Sequence, residues 1–176
     1  MPPCPRPEPV PPSRLREHGG WRYRLGFEPA DIDAAAAHDF LSRAYWSEGI
    51  PLATVQRAIA HSLCVALRAA PLEGGGEERQ VGFARAVSDR TTFAYLCDVY
   101  VLDAHRGLGL GDWMVGGLLA HPDLQGLRRL QLVTRDMHRL YARHGFKALS
   151  APERGMEIVR PGLYLKQAHA AHEELP

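Results

Sequence analysis

The sequence predicts a mixed α/β fold: a mostly antiparallel β-sheet with helices on both of its faces. Short apolar or alternating segments, bounded by glycines and prolines, are typical of strands. Between them lie stretches whose apolar residues recur at helical spacing. With 176 residues, the chain is long enough for one domain with a buried core.

The domain is predicted to span residues 21–165. Seven of the first twelve residues are prolines, and no apolar segment of a signal peptide follows them. Residues 1–20 are therefore predicted to be a disordered, proline-rich tail. The polar residues 166–176 are predicted to be a second tail.

The first half of the domain reads as strands around two helices. "WRYRLGFEP" alternates as a strand, and "ADIDAAAAHDFLSRAYW" and "LATVQRAIAHS" favour helices. "LCVALRA" and "VGFARAV" flank the turn-rich "PLEGGGEERQ", which indicates a hairpin, and "TFAYLCDVYVL" adds a third antiparallel strand.

The second half alternates helices and strands. "DWMVGGLLAHP" is predicted to be a helix that stops at a proline, and "LRRLQLVT" a buried strand. "MHRLYARHG" favours a short helix with Gly145 as its C-cap, and "FKALSAPERGMEIV" a final irregular pair of strands.

Charge and cysteine content exclude several classes of function. A net charge of +1 gives no reason to expect nucleic acid or an anionic membrane as a partner. The apolar runs are too short to span a bilayer. Cys4, Cys64 and Cys97 show no metal-binding spacing, so we expect a reducing cytoplasm and no metal.

A glycine-rich segment, "YVLDAHRGLGLGDW", joins a predicted strand to a predicted helix. Free amides at a helix N-terminus bind phosphate, and glycines let the anion approach. A Walker loop needs GK[ST], and a dinucleotide fingerprint needs GxGxxG; neither pattern is present. An ordinary glycine-rich connection stays open as the alternative.

Two motifs resemble the GNAT superfamily of acyl-CoA-dependent N-acyltransferases. The first is R-x-x-G-x-G, formed by Arg106, Gly109 and Gly111. The second is "TRDMHRLYARHGFKAL", in which a helix carrying Tyr141 ends in Gly-Phe, with Thr134 where many members have asparagine. The resemblance adds a split between the two central strands of the sheet.

The resemblance implies acetyl-CoA as cosubstrate and no metal. The strand residues Val99, Tyr100 and Val101 would pair with the pantetheine arm, and Thr134 would add a further contact. A backbone N–H at the split can stabilise the developing oxyanion. The pyrophosphate would be held by the amides of Arg106, Gly107, Leu108, Gly109, Leu110 and Gly111.

The catalytic candidates are Tyr141 and Asp98. In the family a tyrosine like Tyr141 protonates the leaving thiolate, although Met137, Leu140 and Tyr141 also share one helix face and could simply pack. Asp98 is a lone carboxylate in an apolar strand. It is a candidate general base, and the alternatives are an ion-paired structural residue, with water as the base.

The acceptor side is predicted from "AYWSEGIP", which groups Tyr45, Trp46 and Glu48. Aromatic and acidic groups together suit a cationic amine. The alternative is that the two aromatic residues finish a helix and fill the core.

The sequence therefore predicts an N-acetyltransferase that moves an acetyl group from acetyl-CoA to a small-molecule or peptide amine by direct attack in a ternary complex. Whether the chain is a monomer or a homodimer stays open. The first alternative is a non-catalytic acyl-CoA-binding or regulatory domain on the same scaffold. The second is a nucleotide-binding protein of another fold.

Overall fold

The computed structural model describes residues 15–166. The chain divides into two compact units. The first comprises the residues up to Asp33 together with Ile59–Val133, and the second comprises Ala34–Ala58 together with the residues from Thr134 onward. Each unit is described by itself.

The first unit is built on one six-stranded sheet with its strands in chain order. The first five strands form an antiparallel meander, and the sixth pairs parallel to the fifth. The strands are β1 (Leu15–His18), β2 (Trp21–Gly26), β3 (Leu63–Pro71), β4 (Arg79–Ser88), β5 (Phe93–Val101) and β6 (Arg129–Gln131).

Helix α3 (Leu110–Leu119) packs on the middle of this sheet, against β3, β4 and β5. Most of its apolar residues are buried. Tyr23 and Leu25 of β2 and Phe83 of β4 are each at 0 % exposure. Gly117 allows the close approach, because a Cβ there would lie 2.6 Å from Cδ1 of Leu25. The apolar stripe of α3 therefore holds it on the centre of the sheet.

The second unit contains α1 (Ala34–Leu41), α2 (Leu52–Ala60, whose last two residues belong to the first unit) and α4 (His138–Ala142). A 3₁₀ turn, Pro152–Arg154, follows α4, and residues 163–166 at the end of the described range are helical. None of the helices in residues 15–166 is both long and apolar enough to cross a membrane.

The mixed α/β class is confirmed, and three details of the prediction are corrected. Leu15–His18 forms β1 against Trp21–Arg24, so ordered structure begins before the predicted boundary at residue 21. The last strand is only three residues long. No strand forms in residues 146–159, where Pro152 interrupts the segment and Met156 is 99 % exposed. The remaining tail residues, 1–14 and 167–176, lie outside the described range.

Candidate active site

Strand β5 has two halves with different neighbours. Phe93, Ala94 and Tyr95 pair with β6, and Ala94 and Tyr95 also pair with β4. From Leu96 to Val101 the strand pairs with β4 only, because the pairing with β6 ends at Tyr95 and Gln131. Among residues 15–166, no strand pairs with the second half of β5 on the side opposite β4, as the predicted split requires.

The unpaired half contains a β-bulge. Arg85 of β4 faces Cys97, and Phe83 faces Tyr100, so Ala84 lies opposite two residues, Asp98 and Val99. Asp98 has φ +54°. The bulge is therefore of the kind whose first residue takes a left-handed conformation and is usually glycine.

Asp98 is bound by an arginine of the neighbouring strand. Nε of Arg85 donates to Oδ2 of Asp98 at 2.5 Å, and the same guanidinium donates to Oγ of Ser62 at 3.2 Å. The side chains of Arg85 and Asp98 are 19 % and 10 % exposed. Burial would lower the pKa of Arg85, but the facing carboxylate outweighs it, so this pKa lies above its ordinary value.

Two cysteines lie on either side of Arg85 across the sheet, Cys64 on β3 and Cys97 on β5. Both are free thiols. Burial raises the pKa of each to about 12. Neither thiol is therefore ionised enough at neutral pH to act as a nucleophile.

The glycine-rich segment follows the unpaired half of β5 directly. The strand ends where the amide of Leu102 donates to the carbonyl of Val81, and a 3₁₀ turn, Asp103–His105, follows. The Arg106 side chain folds back, with Nε donating to the carbonyl of Val101 at 2.8 Å and Nη1 lying 2.8 Å from Oδ1 of Asp103. Arg106 thereby closes the loop onto the end of β5.

The loop leaves its amides open. Gly107 and Gly109 have φ of +79° and +70°, and nothing lies within 4 Å of the Cβ position of either. The first helical bond of α3 is the one from the Trp113 amide to the Gly109 carbonyl. Among residues 15–166, the structure gives the amides of residues 107–111 no backbone acceptor. These are the geometric requirements of an anion-binding helix N-terminus.

A buried histidine supports the loop from beneath. Nδ1 of His105 and the hydroxyl of Tyr23 form a 2.9 Å hydrogen bond, and the Trp21 ring packs edge-on at 5.1 Å. Burial lowers the pKa of His105, so the ring is neutral at neutral pH. The start of the loop is therefore fixed to β2.

The predicted acid, Tyr141, belongs to the second unit. It is the one buried residue of α4, at 8 % exposure, and its ring lies 6.0 Å from that of Phe146. The alternative to an acid role is that Tyr141 packs on one helix face with Leu140 and Met137. Met137 is 50 % exposed, so such a packed face does not include Met137. Oγ1 of Thr134 accepts from the Met137 amide at 3.1 Å, just before α4 begins.

The predicted acceptor residues line a cavity of about 540 Å³ in the second unit. Tyr45, Trp46 and Glu48 form one side of it, and residues 158–165 form the other. The rings of Tyr45 and Trp46 meet edge to face at 4.9 Å, and Arg135 lies 4.1 Å above the Tyr45 ring. One face of Tyr45 thus already holds a cation of the protein.

The structure brings the strand residues, the loop residues and Asp98 together in the first unit, and it gathers the three acceptor residues around one cavity in the second. Arg85 was missed by the sequence reasoning. An arginine inside the apolar "VGFARAV" matches the lone aspartate inside "FAYLCDVYV". Two opposite charges in neighbouring apolar strands were the available signal.

Comparisons with known proteins identify the family. Residues 60–148 match the model of the acetyltransferase (GNAT) domain. A provisionally named acetyltransferase of Gibberella zeae is 33% identical, over 69% of this chain and 77% of that protein.

Solved structures give the same result. A provisionally named GNAT-family acetyltransferase from Xanthomonas campestris is 47% identical, with a TM-score of 0.72 over 81% of this chain and 96% of its own. A Clostridium acetobutylicum protein, described as a predicted acetyltransferase with acetyl-CoA, shares the fold at 18% identity, with a TM-score of 0.54 over 79% and 96% of the two chains. The chain therefore belongs to the GNAT family of acetyltransferases.

Proposed function

We propose that the protein transfers an acetyl group from acetyl-CoA to an amine by direct attack in a ternary complex. One observation carries the proposal: a strand with a free backbone edge leads directly into a loop of open amides at a helix N-terminus. An extended amide-bearing chain that ends in a pyrophosphate matches both features at once. Family membership supports the same reaction.

The residues present fit acetyl-CoA. In an antiparallel ladder the amides alternate in direction. Because Leu102 donates to β4, the amide of Val101 points toward the free edge. We assign Val99 and Val101 to the pantetheine arm, because the same alternation directs the amide of Tyr100 toward β4. We assign the amides from Gly107 to Gly111 to the pyrophosphate, because the amide of Arg106 already donates to the carbonyl of Asp103 at 3.1 Å. Thr134 remains a proposed further contact.

The chemical step needs two proton transfers. A free amine has a pKa of about 10, so a proton must leave it at neutral pH, and the departing thiolate gains from a donor. We assign the donor role to Tyr141, which the resemblance supports. Asp98 as general base stays a prediction, and its ion pair with Arg85 favours the alternative in which water takes the proton.

The two cysteines within residues 15–166 favour direct attack over a covalent relay. An acetyl-cysteine relay would need a thiolate, and burial raises the pKa of both Cys64 and Cys97 to about 12. The same free thiols suit a reducing compartment, so we propose a cytoplasmic location.

The acceptor is proposed to be a small-molecule or peptide amine held in the cavity beside Tyr45, Trp46 and Glu48. The exposed ring of Trp46 and the carboxylate of Glu48 can both attract a cation. Arg135 above Tyr45 shows how such a ring holds positive charge.

An amine screen tests the reaction. Purified protein is mixed with acetyl-CoA and a panel of small amines and peptides, and thiol release is followed. We expect release above background with at least one amine. CoA binding without release for any amine would instead support the non-catalytic acyl-CoA-binding domain.

A pair of glycine variants tests the loop. Gly109 and Gly126 share φ +70° and open surroundings, but only Gly109 lies in the loop. Valine at either position should cost about 1–2 kcal/mol of stability through the left-handed backbone. Only Gly109→Val should weaken CoA binding in calorimetry, by about 10²-fold or more, because its side chain occupies the anion's space. Equal affinity in the two variants would remove the loop assignment.

A further inference from the structure

The conformation of Asp98 calls for an explanation that a general base does not give. A base needs a carboxylate near the substrate, and nothing in that role requires a left-handed backbone. Asp98 has φ +54° at the first position of a bulge. Aspartate tolerates this region better than most residues, but glycine adopts it with less strain.

The carboxylate of Asp98 is committed to a fixed partner. Its side chain is 10 % exposed and accepts from Nε of Arg85, whose guanidinium also donates to Ser62, the residue just before β3. A buried carboxylate without a partner is strongly unfavourable, so the Asp98 side chain stays where Arg85 is. Arg85 is itself fixed by the register of β4 between β3 and β5.

The position of this ion pair along β5 is specific. The last pair between β5 and β6 is Tyr95 with Gln131, and the bulge follows three residues later. A bulge bends its strand and increases the local twist. The bend therefore sets the direction of the free edge that runs from Val99 to the loop.

We propose that Asp98 and Arg85 are positioning residues, forming a clasp that holds the bulge of β5 and so orients the free backbone edge toward the acetyl thioester. This assignment rests on the proposed function. It replaces proton transfer by Asp98 with a conformational role. A carboxylate is needed at this position because its ion pair holds the left-handed backbone that a glycine would adopt unaided.

Two double variants separate the clasp from a base. Arg85→Met/Asp98→Gly and Arg85→Met/Asp98→Ala both lack the carboxylate and the buried cation. They differ by one methyl group, at a position with φ +54°. Glycine takes this conformation readily and alanine does not.

The readouts are kcat, KM for acetyl-CoA, the pH profile of kcat/KM, and the affinities for CoA and acetyl-CoA by calorimetry. We expect the glycine double variant to keep kcat within about tenfold of wild type and to retain the acid limb of the pH profile. The alanine double variant should lose a further fivefold or more in kcat, since alanine at a positive φ costs roughly 1–2 kcal/mol, a factor of about 5 to 30.

The acyl group gives a readout that does not depend on turnover. The ratio of acetyl-CoA affinity to CoA affinity should be the same in wild type and the glycine double variant, and at least about threefold lower in the alanine double variant. CoA affinity should fall as well in the alanine double variant, because CoA carries the pantetheine arm that pairs with this edge, so the ratio isolates the effect at the acetyl group. Absence of CoA binding to wild type would overturn the proposed function rather than the clasp alone.

Two results would overturn the clasp. An equal loss of about 10²-fold or more in kcat in both double variants, with the acid limb gone, would identify Asp98 as the base. Two double variants that match wild type in kcat and in affinity ratio would show that the bulge conformation does not matter. If the double variants do not fold, Asp98→Asn decides by the same pH profile. Retention of the acid limb supports the clasp, and its loss overturns it.

Discussion

The two halves of β5 differ in pairing although their composition is alike. "FAY" lies inside the sheet with β6 on one side, and "LCDVYV" has β4 alone. Both halves are apolar apart from Asp98. The halves differ in the backbone edge that β6 leaves open more than in the side chains they carry, and the role proposed for the second half rests on that edge.

A proline should lower the free energy of unfolding more in the first half of β5 than in the second, and this is the largest effect we expect. Ala94→Pro removes an amide where β5 lies between β4 and β6, at a site 2 % exposed. It should cost about 3 kcal/mol or more of unfolding free energy. Val101→Pro removes an amide directed at the free edge, so it should cost well under half of that while lowering CoA affinity about tenfold.

Urea unfolding and calorimetric CoA titration of both proline variants provide the measurement. Comparable destabilisation by the two prolines would mean that the second half of β5 has a partner on its far side. The comparison between the halves would then be wrong.

Removal of the phenol oxygen of Tyr141 tests its assignment as the acid that protonates the leaving thiolate. Tyr141→Phe keeps the ring that packs near Phe146. It should lower kcat by about 10²-fold with little change in KM for acetyl-CoA. The measurement is steady-state kinetics together with thermal melting.

Tyr23→Phe is the matched control, since it also removes a buried phenol hydroxyl, the one bonded to His105. It should lose about 1–2 kcal/mol of stability and keep kcat at saturating acetyl-CoA. A kcat within threefold of wild type for Tyr141→Phe, with chemistry limiting, would assign protonation of the thiolate to another group.

His105, in the turn that follows the second half of β5, predicts a smaller, pH-dependent effect on stability. Burial lowers the pKa of His105, so at mildly acidic pH the unfolded chain binds more protons than the folded one. Stability should be fully present above about pH 6.5 and should fall as the pH drops through the lowered folded pKa. Each unit of difference between the folded and unfolded pKa values of His105 changes the free energy of unfolding by about 1.4 kcal/mol.

Urea unfolding at pH 8, 6.5 and 5 checks the sign. His105→Gln should flatten the slope without abolishing it, because burial also lowers the pKa of His121. A free energy of unfolding that rises as the pH is lowered from 6.5 to 5 would contradict the predicted sign.

The contrast between the halves also explains what the sequence could predict. The strand and the loop are local features, which follow from apolar runs and glycine spacing, and the structure has them where they were expected. Helix α3 begins at Leu110, two residues before the predicted start at Asp112. The ion pair of Arg85 and Asp98 depends on the register between two strands. No local pattern specifies that register.

The errors have physical reasons of the same kind. Leu15–His18 has no alternation of its own and pairs only because β2 offers an edge. "FKALSAPERGMEIV" carries apolar residues suited to a strand, but Ile158 and Val159 remain 85 % and 62 % exposed. Pro152 interrupts the segment with a 3₁₀ turn, and among residues 15–166 the segment pairs with none of the strands of the sheet.

Hydrogen exchange of the backbone amides, with and without CoA, reports directly on whether CoA binds along the free edge and the loop. CoA should slow exchange in residues 96–111, which cover both features. Exchange in residues 93–95 should stay unchanged, because that half is already paired with β6. Protection by CoA elsewhere in the chain, with residues 96–111 unaffected, would show that CoA does not bind at this edge.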